Sequence, residues 1–458
     1  MKVRSLTDLG DFARQTDAVQ VRGRVTRVVG TVIEGRMPEC VVGQICQLVP
    51  EPGAAPILAE VVGFQDHRVI LMPLGDMRGL RPGSAIHVLR AAPTVKAGHG
   101  LLGRVLNGMA EPMDGGPPIP YETEVPLYAE PINPYRRKRI HEPLDVGIRA
   151  LNALATICVG QRMAIMSGSG VGKSVLLGMM ARYTTADVNV IGLVGERGRE
   201  LKDFLERDLG PEGLRRSVVV AATSETPALV RVRAAFIATA IAEYFRSLGK
   251  KVLLMMDSVT RFAMAQREVG LAAGEPPTTK GYTPSVFALL PRLLERVGMG
   301  NEGESGSITG LYAVLVEGDD MNEPIADAVR SILDGHIVLS RDLAEKGHYP
   351  AVDVLASVSR LMPDVVKPDH LEWATRILGY MAVYRRAETL INIGAYARGS
   401  NREIDTAIDL MDDLNAFLRQ GMREKADFQD CLRGLEALAA RKAETSKAVT
   451  PIVEPRRA

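Results

Sequence analysis

The sequence predicts an α/β fold with a parallel sheet at its centre, a small β-barrel before it and a helical domain after it. Three observations carry that expectation. From about residue 140 to 366, apolar runs without period-2 alternation are separated by helical segments, as strands buried on both faces require. From 19 to about 92 the runs are shorter and broken by glycine and proline, the texture of a small barrel. After Pro368 the pattern turns helical to about Ala440. At 458 residues the chain is too long for a single core, so several domains are expected.

Taken in order, residues 1–18 read as a short helix, with Leu6, Leu9 and Phe12 at helical spacing. The barrel, 19–95, takes its strands from 19–32, 41–49, 57–64, 68–71 and 84–89. Residues 96–366 form the α/β domain, entered through a Gly- and Pro-rich stretch at 98–139 that reads as loop. Its strands are expected at 163–166, 188–194, 217–222, 252–256 and 311–315, with a helix at 228–247. Residues 367–440 form the helical domain, and 441–458 a polar tail that frays.

Charge excludes some functions. Lys and Arg number 56 against 55 Asp and Glu, so no global field points to nucleic acid or an anionic membrane. Cys40, Cys46, Cys158 and Cys431 are scattered and form no CxxC pair, which argues against a zinc site or a disulfide framework. A reducing cytosol is the expected compartment. The start, Met1-Lys2-Val3-Arg4-Ser5, leads into an amphipathic segment rather than a signal peptide, and no run reaches the ~18 apolar residues of a membrane helix.

The most informative stretch is Ser167-Gly168-Ser169-Gly170-Val171-Gly172-Lys173-Ser174, followed by Val175. It lies between an apolar strand and a helix read at 174–183, the order that makes an anion site. Backbone N–H groups of such a turn face phosphates, and the helix dipole favours negative charge there. Lys173 is placed to bridge the β- and γ-phosphates of a nucleotide triphosphate, and the Ser174 hydroxyl to hold Mg²⁺. Ser167 stands where the usual pattern has glycine, so the turn tightens less if that position needs positive φ.

Two carboxylates complete the set. Asp257 ends the apolar run Val252-Leu253-Leu254-Met255-Met256 and is placed to hold Mg²⁺ through water. Glu196 follows the strand at 188–194, at the carboxyl end where open α/β sheets bind ligands, and is assigned to orient the attacking water. The alternative for Glu196 and Arg197 is a solvated turn.

Gly195-Glu196-Arg197, Asp257-Ser258-Val259-Thr260-Arg261, and Pro350-Ala351-Val352-Asp353 with Ser357-Val358-Ser359-Arg360 together resemble the catalytic subunits of rotary ATP synthases and their export-ATPase relatives. Gly274-Glu275-Pro276-Pro277-Thr278-Thr279 and Leu333-Asp334-Gly335-His336-Ile337-Val338-Leu339-Ser340-Arg341 resemble the type III protein export branch, most like its flagellar members. Ser167 departs from that branch too, where relatives carry Ala or Gly. The resemblance runs from about 20 to 435. It implies a RecA-like core that hydrolyses ATP with Mg²⁺, working as a homohexameric ring with sites between subunits. It further implies that Arg360 is an arginine finger reaching into a neighbour's site, that Arg197 and Arg261 line the γ-phosphate, and that Tyr349 stacks on adenine. A packed strand-end tyrosine is the alternative for Tyr349, and a strand cap or a pair with Asp353 the alternative for Arg360. The implied partners are a stator-like regulatory export protein on the N-terminal helix, a central stalk-like export protein, export substrates and chaperones, and a membrane export gate. The implied place is the cytoplasm, peripheral to the inner membrane. Competing readings are an injectisome ATPase, a rotary ATP synthase subunit and a hexameric RNA helicase. The last is disfavoured because Phe64 is the barrel's one aromatic residue, poor material for base stacking. No specific nucleic acid is expected.

Overall fold

Short strands with one apolar face remove their open edges by closing on themselves. In the computed structural model, which describes residues 22–50, 55–89, 93–316, 318 and 320–441, six strands do so. Around the barrel they run Arg22–Val29, Val32–Arg36, Arg68–Pro73, Ile57–Gln65, Ile45–Val49 and Ala85–Val88, all neighbours antiparallel. Val25, Ile33, Leu48, Val61, Leu71 and Ile86 fill its interior. The strand expected at 19–32 is two strands, because the chain reverses at Gly30 (φ +56°) and Val29 pairs with Val32. Val41 and Val42, expected in a strand, stand exposed in the turn before Ile45–Val49. The helix expected at 1–18 and the tail beyond Arg441 lie outside the described residues.

The central sheet has nine strands among the described residues. Its path is Val352–Ser359, Gly335–Leu339, Arg162–Ser167, Ser307–Leu315, Lys251–Asp257, Val188–Val194, Ser217–Ala222 and Val105–Asn107, with the short Gly298–Met299 alongside. From Gly335–Leu339 onward every pairing along the path is parallel, and the outer strand Val352–Ser359 is antiparallel. The five expected strands all sit within this path. Three others were not expected as strands, and all lie towards its ends. Gly335–Leu339 and Val352–Ser359 alternate buried with half-buried residues, so their apolar runs are broken. Val105–Asn107 is three residues long and sits in the stretch read as loop, which also supplies Thr123–Pro126 as a partner for Thr94–Ala97.

Alternate residues of the central strands serve two cores. Val190, Leu254 and Met256 share one with the helix Ala228–Ser247, whose bounds match the expectation. Ile191, Leu253 and Met255 share the other with the helix Lys173–Tyr183. That second core continues into the C-terminal helices Pro368–Asn392, Arg402–Leu418 and Phe428–Ala440 through Ile377, Leu414 and Leu435. The barrel is tied to the α/β domain by a buried ion pair, Arg233 Nη1 to Glu60 Oε2 at 3.0 Å. Burial pushes the Glu60 carboxyl up, and the Arg233 guanidinium opposes that rise.

Candidate active site

Parallel pairing brings the carboxyl ends of five strands to one edge, the general ligand position of open α/β sheets. Ser167 is level with Leu315 and Leu339, and Asp257 is level with Leu193. The loops that leave these residues line a cleft of about 800 Å³.

Its floor is the glycine-rich turn. Gly170 and Gly172 take φ of +80° and +92°, left-handed backbone that suits glycine. Gly172 is the N-cap of the eleven-residue helix Lys173–Tyr183, and no side chain caps its first turn, so those N–H groups face the cleft's anion position uncovered. Ser167, Gly168, Ser169, Gly170, Gly172, Lys173, Ser174 and Val175 all line the cleft. Val171 buries its side chain in the core beneath, leaving only its main chain to the loop. Ser167 is the last residue of a strand with ordinary negative φ, so the turn does not require glycine there. Its hydroxyl is buried without a hydrogen-bond partner.

Lys173 forms an ion pair with Asp257, and its Nζ lies 3.9 Å from Glu196 Oε1. All three side chains are largely shielded from solvent. Asp257 sits below the cleft wall, reached through Lys173. Burial first, and then the neighbouring Asp257 and Glu200 carboxylates, push the Glu196 carboxyl up to about 8, against the pull of Lys173. The raised value marks a carboxylate held in a dry, negatively charged corner, a common feature of catalytic groups. Arg197 lies at the solvent edge, 3.3 Å from Glu200. Arg261 lies in the first turn of Val259–Ala272, its stem packed on Gly195. A Cβ on Gly195 would come within 2.8 Å of that stem, and φ there is +74°, so this turn requires glycine.

Besides Asp257, Tyr349 and Arg360 do not line the cleft. The Tyr349 ring is half exposed and lies beside the phosphate loop, 3.5 Å from where a Gly172 Cβ would be. Arg360 follows the antiparallel outer strand, and its guanidinium donates to the carbonyls of Leu333 and Arg330 at 3.3 Å. It does not pair with Asp353, whose carboxylate accepts from Arg385 at 2.7 Å.

The structure adds residues that the sequence reading assigned no role: Arg207, Arg267, Lys280 and Arg341. Arg341 Nη1 donates to Ser169 O at 3.4 Å. It reaches the cleft because it follows the strand Gly335–Leu339, which pairs in parallel with the strand entering the phosphate loop. Among the described residues, seven cationic side chains and four carboxylates line the cleft. The uncovered helix N-terminus and Lys173 suit a polyanion such as a nucleotide triphosphate.

The nucleotide-binding domain of the ATP synthase alpha/beta family matches residues 147–359, and that family's beta-barrel domain matches 25–88. The chain belongs to the ATP synthase alpha/beta family. Its helical end matches the T3SS EscN ATPase C-terminal domain over 366–437, which puts this family member in the type III export ATPase branch. It is 52% identical to the flagellum-specific ATP synthase of Bacillus subtilis (strain 168), over 96% of this chain and 99% of that one. A type 3 secretion system ATPase of Xanthomonas euvesicatoria is 49% identical over 91% of this chain and 93% of that one. Among solved structures, the assembled ATPase EscN of the enteropathogenic E. coli type III secretion system aligns with a TM-score of 0.85. That match is 42% identical and covers 91% of this chain and all of that one. The chain is therefore an export-type ATPase, as its motifs led one to expect.

Proposed function

We propose that this chain is the ATP-hydrolysing motor subunit of a flagellar protein export apparatus, working as a ring of identical subunits. One observation carries the reading: Lys173 and Glu196 line the chain's own cleft, with Asp257 paired to Lys173 just beneath it, while Arg360 stands outside it. A finger that does not line its own site is free to serve a neighbour's. The assembled state of the EscN relative supports a ring, and a second EscN structure, in complex with its central stalk EscO, supports a stalk-like partner.

Each residue has a role in that chemistry. The loop N–H groups and Lys173 hold the triphosphate. Glu196 orients a water whose oxygen attacks the γ-phosphorus; the bond to the β–γ bridging oxygen breaks, and ADP leaves with the electron pair. Arg197 and Arg261 of the same subunit, together with Arg360 of the partner subunit, stabilise the charge that spreads over the γ-oxygens. Tyr349 is the platform for adenine. The Ser174 hydroxyl and the Asp257 carboxylate are hard oxygen donors, the set that suits Mg²⁺. Among the described residues there is no cluster of three or more His, Cys, Asp or Glu that could hold a metal. Mg²⁺ held by Ser174 and Asp257 would neutralise phosphate charge.

No helix among the described residues is long and apolar enough to cross a membrane. The flagellar and type 3 secretion names of the chain's relatives support a cytoplasmic place, with attachment to the inner-membrane export gate through partners. Residues 1–18 are the proposed dock for a stator-like regulatory protein, and substrates arrive with their chaperones. The flagellar reading is preferred over the injectisome because the flagellar relative is more similar over a longer span. The test is phosphate release by the purified protein with flagellar rod or hook proteins added, and separately with RNA. Stimulation by the export substrates is expected. Stimulation by RNA alone would remove the export reading.

A further inference from the structure

The C-terminal helical domain meets the nucleotide domain directly behind Tyr349, and the buried Gln420 is one of the residues that join them there. Gln420 follows the helix Arg402–Leu418 and is 5% exposed. Its side-chain amide uses both N–H groups and its oxygen. Oε1 accepts from the backbone N–H of Arg149 at 2.8 Å, while Nε2 donates to the carbonyls of Gly147 and Glu424, each at 2.8 Å. With its side chain fixed in this way, the backbone N–H of Gln420 donates to the carbonyl of Tyr349 at 2.9 Å. Arg149 reinforces the joint, since its guanidinium donates to the carbonyls of Phe417 and Arg419 at 2.8 and 2.9 Å. Gly147 cannot yield, because φ there is +71° and a Cβ would come within 2.2 Å of the Tyr183 side chain.

We infer that Gln420 is the positioning residue of the adenine subsite: its amide locks residues 417–424 onto 147–149, and that segment holds Tyr349 in register beside the phosphate loop. The inference rests on reading Tyr349 as the adenine platform. The physical reason is specific. Half of the Tyr349 ring is solvent-exposed, so few ring contacts set its position, and its main chain has to be held from behind. A buried amide that makes three hydrogen bonds is costly to replace with any group that makes fewer. The same joint couples nucleotide binding to the placement of the C-terminal helices, because a shift of Tyr349 and a shift of 417–424 are one movement.

Steady-state kinetics of four full-length proteins test this: native, Tyr349→Ala, Gln420→Ala and the double variant, each with a thermal melt. Gln420→Met, of similar volume and without the amide, is measured beside Gln420→Ala in case the smaller side chain costs the fold. Loss of positioning raises the KM for ATP about fivefold, the factor expected of one net hydrogen bond, with the change falling on KM rather than kcat. In the Tyr349→Ala background the same substitution adds nothing, since the group it positions is gone. Additive effects in the double variant, or an unchanged KM in both Gln420 variants with normal melts, would overturn the inference while leaving Tyr349 as the platform. An unchanged KM in Tyr349→Ala itself would overturn the platform reading and the inference together. A lowered melting temperature with KM unchanged would make Gln420 a structural joint and nothing more, which also overturns it.

Discussion

Lys173 is the residue on which the site turns. It touches Asp257 and Glu196, and its removal takes away charge without opening the core. Lys173→Ala is expected to lose nearly all phosphate release while melting as the native protein does; a variant that keeps most of its activity with a normal melt would refute the phosphate-loop assignment. Glu196→Gln separates binding from chemistry. The amide still hydrogen-bonds a water but is a very poor base, so hydrolysis should fall ~10²–10⁴-fold. Nucleotide affinity should hold, and its collapse would make Glu196 structural. These residues were legible in the sequence because their chemistry is local, with glycines beside a lysine and carboxylates at strand ends. Arg341 and Lys280 were given no role because their place in the cleft depends on which strands become neighbours, and nothing in their flanking residues states it.

The edge strand Val105–Asn107 shows what was not legible among the elements. Three residues give no periodicity, and the strand is held in place by a charged clasp. Arg104 grips Asp114 in two hydrogen bonds of 2.7 and 2.8 Å, and the same carboxylate accepts from the N–H groups of Val105 and Gly116, each at 3.0 Å. The Arg104 guanidinium and those N–H groups hold the Asp114 carboxyl well below the usual carboxylate range. The clasp therefore stabilises the fold above pH ~4, where the carboxyl of the unfolded chain is ionised, and its contribution fades as pH falls towards the depressed native value. Asp114→Asn should cost about 1–2 kcal/mol at pH 7. In thermal melts, the gap between native and variant should narrow below pH ~4. A gap that stays constant down to pH 3 would mean the loss comes from shape and not from charge. The central strands, by contrast, were read correctly because burial on both faces leaves an unbroken apolar run.

At the scale of the whole molecule, the three-part order was visible in texture, but the joints between the parts were not. Glu60 and Arg233 lie far apart in sequence and meet only when the barrel docks on the helix Ala228–Ser247. The same holds for Gln420 and Gly147. The joint between subunits is the one that matters for catalysis, and Arg360 is its proposed carrier. Arg360→Ala should bind ATP almost normally and hydrolyse it poorly, because the side chain lines no part of its own cleft. Mixing gives the sharper outcome. Arg360→Ala subunits keep an intact phosphate loop, and Lys173→Ala subunits keep an intact finger. In rings assembled from equal amounts of the two, about a quarter of interfaces combine a good loop with a good finger, if assembly is random. Activity should then rise above that of either parent, towards about that fraction of the native rate. If mixed rings form and stay as inactive as their parents, Arg360 does not act across the interface. A purely structural Arg360, serving only the carbonyls of Leu333 and Arg330, predicts a lowered melting temperature and no rescue on mixing. Its exposure and the weak 3.3 Å bonds it makes at home leave it free to exchange those carbonyls for a phosphate.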